Sequence, residues 1–256
     1  MSFFRKSILL VLATFATFSA ASAGVLREDK SDTDWEFIIA PYFWLSSISG
    51  DANGIPVDAE FKDLLKELNI ALSLHSELHR GKWGIIFDPM YLQLEMDVDV
   101  PAPENPTIRA DIWLVELLGA YKFTPNWEVY AGARYSDQTL KITRGDVIPV
   151  PPAPGILPES FKIGENWTNW IAGVRATYPL GDKWLFTGKL DGAFAGDSKK
   201  SWNAVAMFNY RIRKTMALNL GYRYYVDEFD NKKSGLEKYT WDIKQQGPVI
   251  GYTWAF

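Results

Sequence analysis

Cysteine is absent from this 256-residue chain. That one absence excludes a disulfide framework, a thiolate-held metal and a lipid anchor attached through sulfur. Histidine is scarce, with only His75 and His79. Basic charge is not in excess, since 27 Lys and Arg stand against 31 Asp and Glu. A nucleic-acid partner, which wants a basic face, is not expected. Beyond the N-terminal region there is also no apolar run of the roughly 20 residues that a membrane helix needs. The best candidate, IWLVELLGAY at 112–121, carries Glu116 in its middle.

The N-terminal region reads MSFFRKSILLVLATFATFSAASAG. Arg5 and Lys6 precede a short apolar stretch, and Ala21-Ser22-Ala23 supplies small side chains where a signal peptidase reads them. This pattern predicts a cleavable secretory signal over 1–23, with 24–256 as a single mature domain. Cleavage removes two cations and no acids, taking the formal charge from −4 to −6.

What the mature chain has in quantity is aromatic residues and alternation. Its 11 Trp, 12 Tyr and 11 Phe are spread along it. In IALSLHSELH, Leu72, Leu74 and Leu78 fall on one parity, and Ser73, His75, Glu77 and His79 on the other. A period of two is a strand with one apolar face. The same pattern recurs at 127–135, 201–212 and 217–227. A soluble sandwich would turn the apolar face inward; a membrane barrel turns it outward to lipid.

Three features favour the barrel. Runs such as 83–97 and 127–143 far exceed the roughly 5–6 residues of an ordinary strand. Trp35, Trp83, Trp127 and Trp184 open runs and Tyr121, Phe123, Tyr178 and Phe256 close them, as an interfacial aromatic girdle would. Tiny connections at 80–82, 124–126, 180–183 and 213–214 alternate with long ones at 46–69, 98–108, 144–165 and 229–238. An open sheet in lipid would leave backbone groups unpaired at its edges, so the sheet must close.

The predicted fold is therefore all-β, a transmembrane antiparallel up-and-down barrel of about ten strands, with eight or twelve as alternatives. The expected strands are 35–46, 70–80, 83–97, 108–123, 127–143, 165–180, 184–196, 201–213, 215–228 and 239–256. A bulge is expected at Asp88-Pro89, with Ile85 and Phe87 facing lipid before it and Met90, Leu92, Leu94 and Met96 after it. A second parity slip is expected near Gln245-Gln246-Gly247.

The signal, the girdled strands and the closing YTWAF together resemble the bacterial outer-membrane β-barrel proteins, in the small OmpA- or OmpW-like architecture. The resemblance implies an outer-membrane location, reached through the periplasm of a Gram-negative cell. It implies membrane lipid and lipopolysaccharide as surroundings and a largely monomeric state. It also implies that the barrel-assembly machinery reads the last strand, through Tyr252, Trp254 and Phe256. Trp254 departs from the more usual Tyr. No one subfamily's functional motif is matched.

With the apolar parity outside, the other parity lines the lumen. It collects Glu77, Glu116, Glu128, Arg134, Arg175, Lys189, Asp191, Arg211, Arg223 and Asp227, with both histidines. A barrel of this size is narrow, and its buried charges need partners. Glu116 with Arg134 or Arg175 is the expected ion pair. The lumen is then a structural plug or a narrow path for small solutes.

No cofactor is expected. His75 and His79 share a face but lie about 13 Å apart along a straight strand, too far to ligate one zinc. No nucleophile, base and orienting group come together, because Ser76 points away from His75. An enzyme of the lipid-modifying kind is the least favoured reading. Asp97, Asp99 and Asp111 are rim acids without a partner histidine.

Residues 58–68, DAEFKDLLKEL, space Phe61, Leu64, Leu65 and Leu68 as a helix does. A short helix in the first outer loop is expected, as a cap or as a lid over the lumen. The Pro-rich stretches VPAPENPT and VIPVPPAPGILPES are expected as stiff outer loops. They offer a surface-binding role as the alternative to structural or small-solute function.

Overall fold

The computed structural model describes residues 34–97, 107–143 and 160–256. The predicted signal peptide and most of both Pro-rich loops, Asp99 included, lie outside the described residues. Twelve strands are described: β1 (Trp35–Trp44), β2 (Ser47–Ala52), β3 (Ile55–Ala59), β4 (Leu68–Arg80), β5 (Trp83–Asp97), β6 (Thr107–Lys122), β7 (Trp127–Thr143), β8 (Ser160–Pro179), β9 (Trp184–Gly196), β10 (Ser198–Arg213), β11 (Met216–Asp230) and β12 (Thr240–Ala255).

Ten of them close a barrel. β1 pairs with β4, each later strand pairs antiparallel with the next, and β12 returns to β1 through Ile38↔Ala255 and Tyr42↔Gly251. Closure leaves the wall no free edge. The short turns and both ends of the barrel chain lie at one end, here the turn end. The long connections lie at the other, the loop end.

Elements β2 and β3 were read from sequence as loop. After a kink at Leu45-Ser46, where the Leu45 N–H donates to the Pro248 carbonyl (2.8 Å), the chain continues up β12 as β2. It then folds back as β3. The hairpin turns on Asn53 (φ 57°) and Gly54 (φ 83°), an Asn-Gly pair suited to two consecutive positive φ values. Gly50 is needed inside β2, because a Cβ there would lie 1.9 Å from the Asp242 carbonyl oxygen.

The helix expected over 58–68 is reduced to one turn, α1 (Phe61–Leu64). Val57, Asp58 and Ala59 belong to the β2–β3 ladder, and Leu68 opens β4. The ladder's hydrogen bonds win over the helical spacing. α1 contributes no buried residue and Leu65 is exposed.

The wall near the turn end carries exposed Phe37, Leu72, Ile85, Phe87, Leu117, Val174, Leu190, Phe208, Leu220 and Ile250. Below them, outward aromatics pair across neighbouring strands: Trp83 with Tyr121, Trp127 with Tyr178 and Trp184 with Tyr210. Such a ring of exposed apolar side chains, edged by aromatics, is a lipid-facing wall. No described helix is long and apolar enough to span a membrane; the strands do so.

Neither expected parity slip exists. β5 pairs with β6 without interruption from Trp83↔Tyr121 to Asp97↔Thr107, and β12 with β11 from Trp254↔Met216 to Thr240↔Asp230. Ile85 and Phe87 do face outward, but Met90 and Leu94 are buried inside, and Leu92 shares their parity. The change lies in the surroundings. Toward the loop end the interior becomes apolar, with Leu114, Trp167, Phe229, Tyr239 and Ile243 buried. The outer wall there becomes polar, exposing Glu95, Lys162, Lys200, Asp242 and Lys244. β8 alone runs 20 residues, whereas a tilted membrane strand needs about 9–11. The loop-end half therefore stands clear of the membrane, with water outside and a conventional core within.

Candidate functional site

Across the middle of the lumen lies a partition built from side chains of six strands. Arg134 on β7 is wholly buried. It donates from Nε and Nη2 to Glu116 Oε1 (2.8 and 2.6 Å) and from Nη2 to Asp191 Oδ1 (2.5 Å). Lys189 Nζ donates to Glu116 Oε2 (3.0 Å). Tyr130 and Asn203 both donate to Asp191 Oδ2 (3.0 and 2.9 Å). Arg223 donates from Nε to Asn203 Oδ1 (2.8 Å), and its guanidinium lies over the Trp44 ring (4.6 Å). Each carboxylate is met by more than one donor, so these buried charges are paired and hydrogen-bonded.

A second cluster lies toward the turn end. His75 is clamped between two carboxylates, Nδ1 to Asp88 Oδ2 (2.8 Å) and Nε2 to Glu77 Oε1 (2.6 Å). Two carboxylate acceptors call for a donor on each ring nitrogen, which is the imidazolium form. His79 Nε2 reaches Glu77 Oε2 (2.5 Å), and Arg175 binds Glu77 through both Nη atoms (2.5 and 2.7 Å). Gly84 on β5 makes room for this, since a Cβ there would lie 2.4 Å from the His79 ring. Tyr42 donates to Asp88 Oδ1 (2.8 Å), tying the cluster to β1.

Above the partition the lumen is filled. Trp167 stacks on Phe229 (4.4 Å between centroids, 7° between planes), beside Tyr239 and Trp241. Trp167 Nε1 and Ser198 Oγ donate to Asp227 (2.9 and 2.8 Å), which satisfies that buried acid. Below the partition is an open chamber of about 260 Å³, reached from the turn end past Lys122, Asn126 and Trp127. Its lining is mixed: strands β4, β5, β7 and β8 present His75, Glu77, Asp88, Glu128 and Arg175, and β9–β12 and β1 interleave Leu185, Val205, Met207, Val249 and Ile38 with Lys189, Asn203, Asn209, Asn219 and Arg223.

Of the residues singled out from sequence, Glu77, Glu116, Arg134, Arg175, Lys189, Asp191 and Arg223 are brought together in these two clusters. Of the two partners expected for Glu116, Arg134 meets it, while Arg175 turns to Glu77 and Glu128. Arg211 stands apart, opposite Ala217 beside a short turn. Tyr252 and Trp254 lie on the outward face of β12, their rings 4.5 Å apart. Phe256 exchanges backbone hydrogen bonds with Phe37 (2.8 and 3.3 Å). Asp88, Tyr42 and Asn203 were missed. Asp88 is on the lumenal parity, but the supposed bulge at Pro89 hid its role.

No family model matches the chain, and no curated protein matches it in sequence. Among solved structures it is similar to the outer membrane protease OmpT from Escherichia coli, at 8% identity over 88% of this chain and 94% of that one, with a TM-score of 0.47. It is similar to the translocator domain of the autotransporter NalP from Neisseria meningitidis, at 12% identity over 99% and 95%, TM-score 0.45. It is also similar to Ail, the attachment invasion locus protein of Yersinia pestis, at 10% identity over 88% and 99%, TM-score 0.41. Likenesses this distant assign no function.

Proposed function

We propose that this chain, a bacterial outer-membrane β-barrel by its closed antiparallel sheet and girdled apolar wall, is a shut barrel with a structural role rather than an open pore. The turn end is then periplasmic and the loop end extracellular. One observation carries the reading: Arg134 sits in mid-lumen with no exposed surface, bonded to both Glu116 and Asp191. A solute would have to break several charge-assisted hydrogen bonds and then displace the stacked Trp167 and Phe229. The chain is exported by its signal peptide, assembled through the seam made by its last strand, and lies as a monomer among lipid and lipopolysaccharide.

Single-channel recording tests this. The refolded barrel in a planar bilayer should show no discrete current steps, with insertion confirmed by protease protection. Regular steps from the unmodified protein would overturn the closed-lumen reading and return the barrel to the narrow porins.

A further inference from the structure

Just above the partition, three buried polar atoms have no hydrogen-bond partner among the described residues. They are Ser136 Oγ and Gln138 Oε1 on β7 and the Tyr225 hydroxyl on β11. The three residues are 1%, 7% and 5% exposed, so bulk water does not serve them. A buried polar group left unpaired costs stability, and folded proteins pair nearly all of theirs with protein or with ordered water. Scattered through the wall, three such atoms would need three explanations. Instead all three residues line one small cavity, together with Met90, Leu114 and Ile243.

The size of that cavity and the chemistry of its lining agree. It offers about 10 Å³, close to the roughly 10–15 Å³ that a single water needs. Gln138 Oε1 can only accept, the Tyr225 O–H can donate, and the Ser136 hydroxyl can do either. A donor and an acceptor thus face the same space, yet neither bonds to the other. A group that accepts from one and donates to the other completes both, and buried waters typically make about three such bonds. A metal cation fits less well. It would use lone pairs alone and leave the Tyr225 and Ser136 hydrogens unserved. The Arg134 guanidinium, 5.2 Å from the centre of the Tyr225 ring, would also repel a second positive charge.

We propose that this cavity is a binding site for one ordered water. The water accepts from the Tyr225 hydroxyl, donates to Gln138 Oε1 and bonds to Ser136. β7 and β11 are not neighbours in the wall, so the water ties two sides of the barrel together across the lumen. The site is independent of the shut-barrel reading, because it is defined by the groups that line it and not by whether ions pass.

A double-mutant cycle on the barrel refolded in vesicles tests the bridge. Gln138→Met and Tyr225→Phe each remove one partner of the water and nearly keep the side chain's shape. If one water serves both groups, losing the second partner costs less than losing the first. The unfolding constant of the double variant should therefore rise by about threefold or more less than the product of the two single effects. A smaller shortfall would overturn the proposal. The shortfall should persist when sodium in the buffer is replaced by choline; its loss in choline would mean a bound metal ion and would overturn the proposal too. Where the double variant does not refold, Ser136→Ala replaces Tyr225→Phe under the same criterion. A crystal structure of the unmodified barrel should show one isolated density peak about 2.5–3.2 Å from all three atoms. Direct hydrogen bonds among the three in place of that peak would sink the idea.

Discussion

Below the partition the barrel is apolar outside and charged within; above it, the wall is polar outside and the interior is aromatic. Phe87 faces lipid and Met90, three residues on, faces the core, with no slip in the ladder between them. Asp242 and Lys244 face out on β12 while Ile243 is buried. The two halves use the same alternation with opposite meaning. What changes is the medium against the wall, lipid for one half and water for the other. The lower half needs lumenal polarity because its apolar side chains are drawn to lipid. The upper half has no lipid to receive them and buries them inside, as any soluble sheet does.

Removing the partition's central charge should have the largest effect. Arg134→Ala would leave Glu116 and Asp191 buried without their shared partner and should cost about 3–5 kcal/mol. The shift is measured as a fall in the urea midpoint of the barrel refolded in vesicles. A contribution under about 1 kcal/mol, the range of exposed ion pairs, would mean that water reaches the partition. Trp167→Ala tests the upper half by a different mechanism, since it opens a cavity beside Phe229 and removes a donor from Asp227. A loss of about 3 kcal/mol or more is expected, on the same assay.

Charge placed on the outer wall locates the boundary between the halves. Leu220→Arg, within the lipid-facing band, should destabilise by about 2–4 kcal/mol. Gln246→Arg, exposed on the outer half of β12, should change stability by no more than about 0.5 kcal/mol. Equal costs at both sites would mean that lipid covers the whole wall. A local effect is expected at the β2–β3 turn, where Gly54→Ala forces a side chain into the left-handed region and should cost about 1 kcal/mol. That loss should be accompanied by faster amide exchange in β2 and β3, with the ten-stranded wall unaffected.

The sequence carries the strand positions well, because long alternating runs and tiny turns leave little freedom: 83–97, 127–143 and 184–196 match β5, β7 and β9 residue for residue. It does not carry the height at which lipid gives way to water. Met90 and Leu94 were therefore assigned to the wrong face and a bulge was invoked to put them there. The Asn53-Gly54 pair was a legible hairpin signal, overshadowed by the helical spacing of Phe61, Leu64, Leu65 and Leu68. In the lumen, parity is enough to gather Glu116, Arg134, Arg175 and Asp191 on one face. Which of them meet depends on how far the tilted strands are sheared past one another, and Asp191 reaches Arg134 across the lumen from a non-adjacent strand. A single strand's pattern holds no record of that shear.

The seam between β1 and β12 has a consequence in time. Ile38 pairs with Ala255, and Phe37 bonds to the terminal Phe256, so the contact that completes the wall joins residues from opposite ends of the chain. Its loop-closure cost is met only after the whole stretch from β1 to β12 is available to pair. Until then every intermediate is a curved sheet with two raw edges in need of a chaperone. A sheet that fails to make this pairing keeps two raw edges, open to pairing with other chains, so the whole wall's protection rests on one seam between strands far apart in sequence.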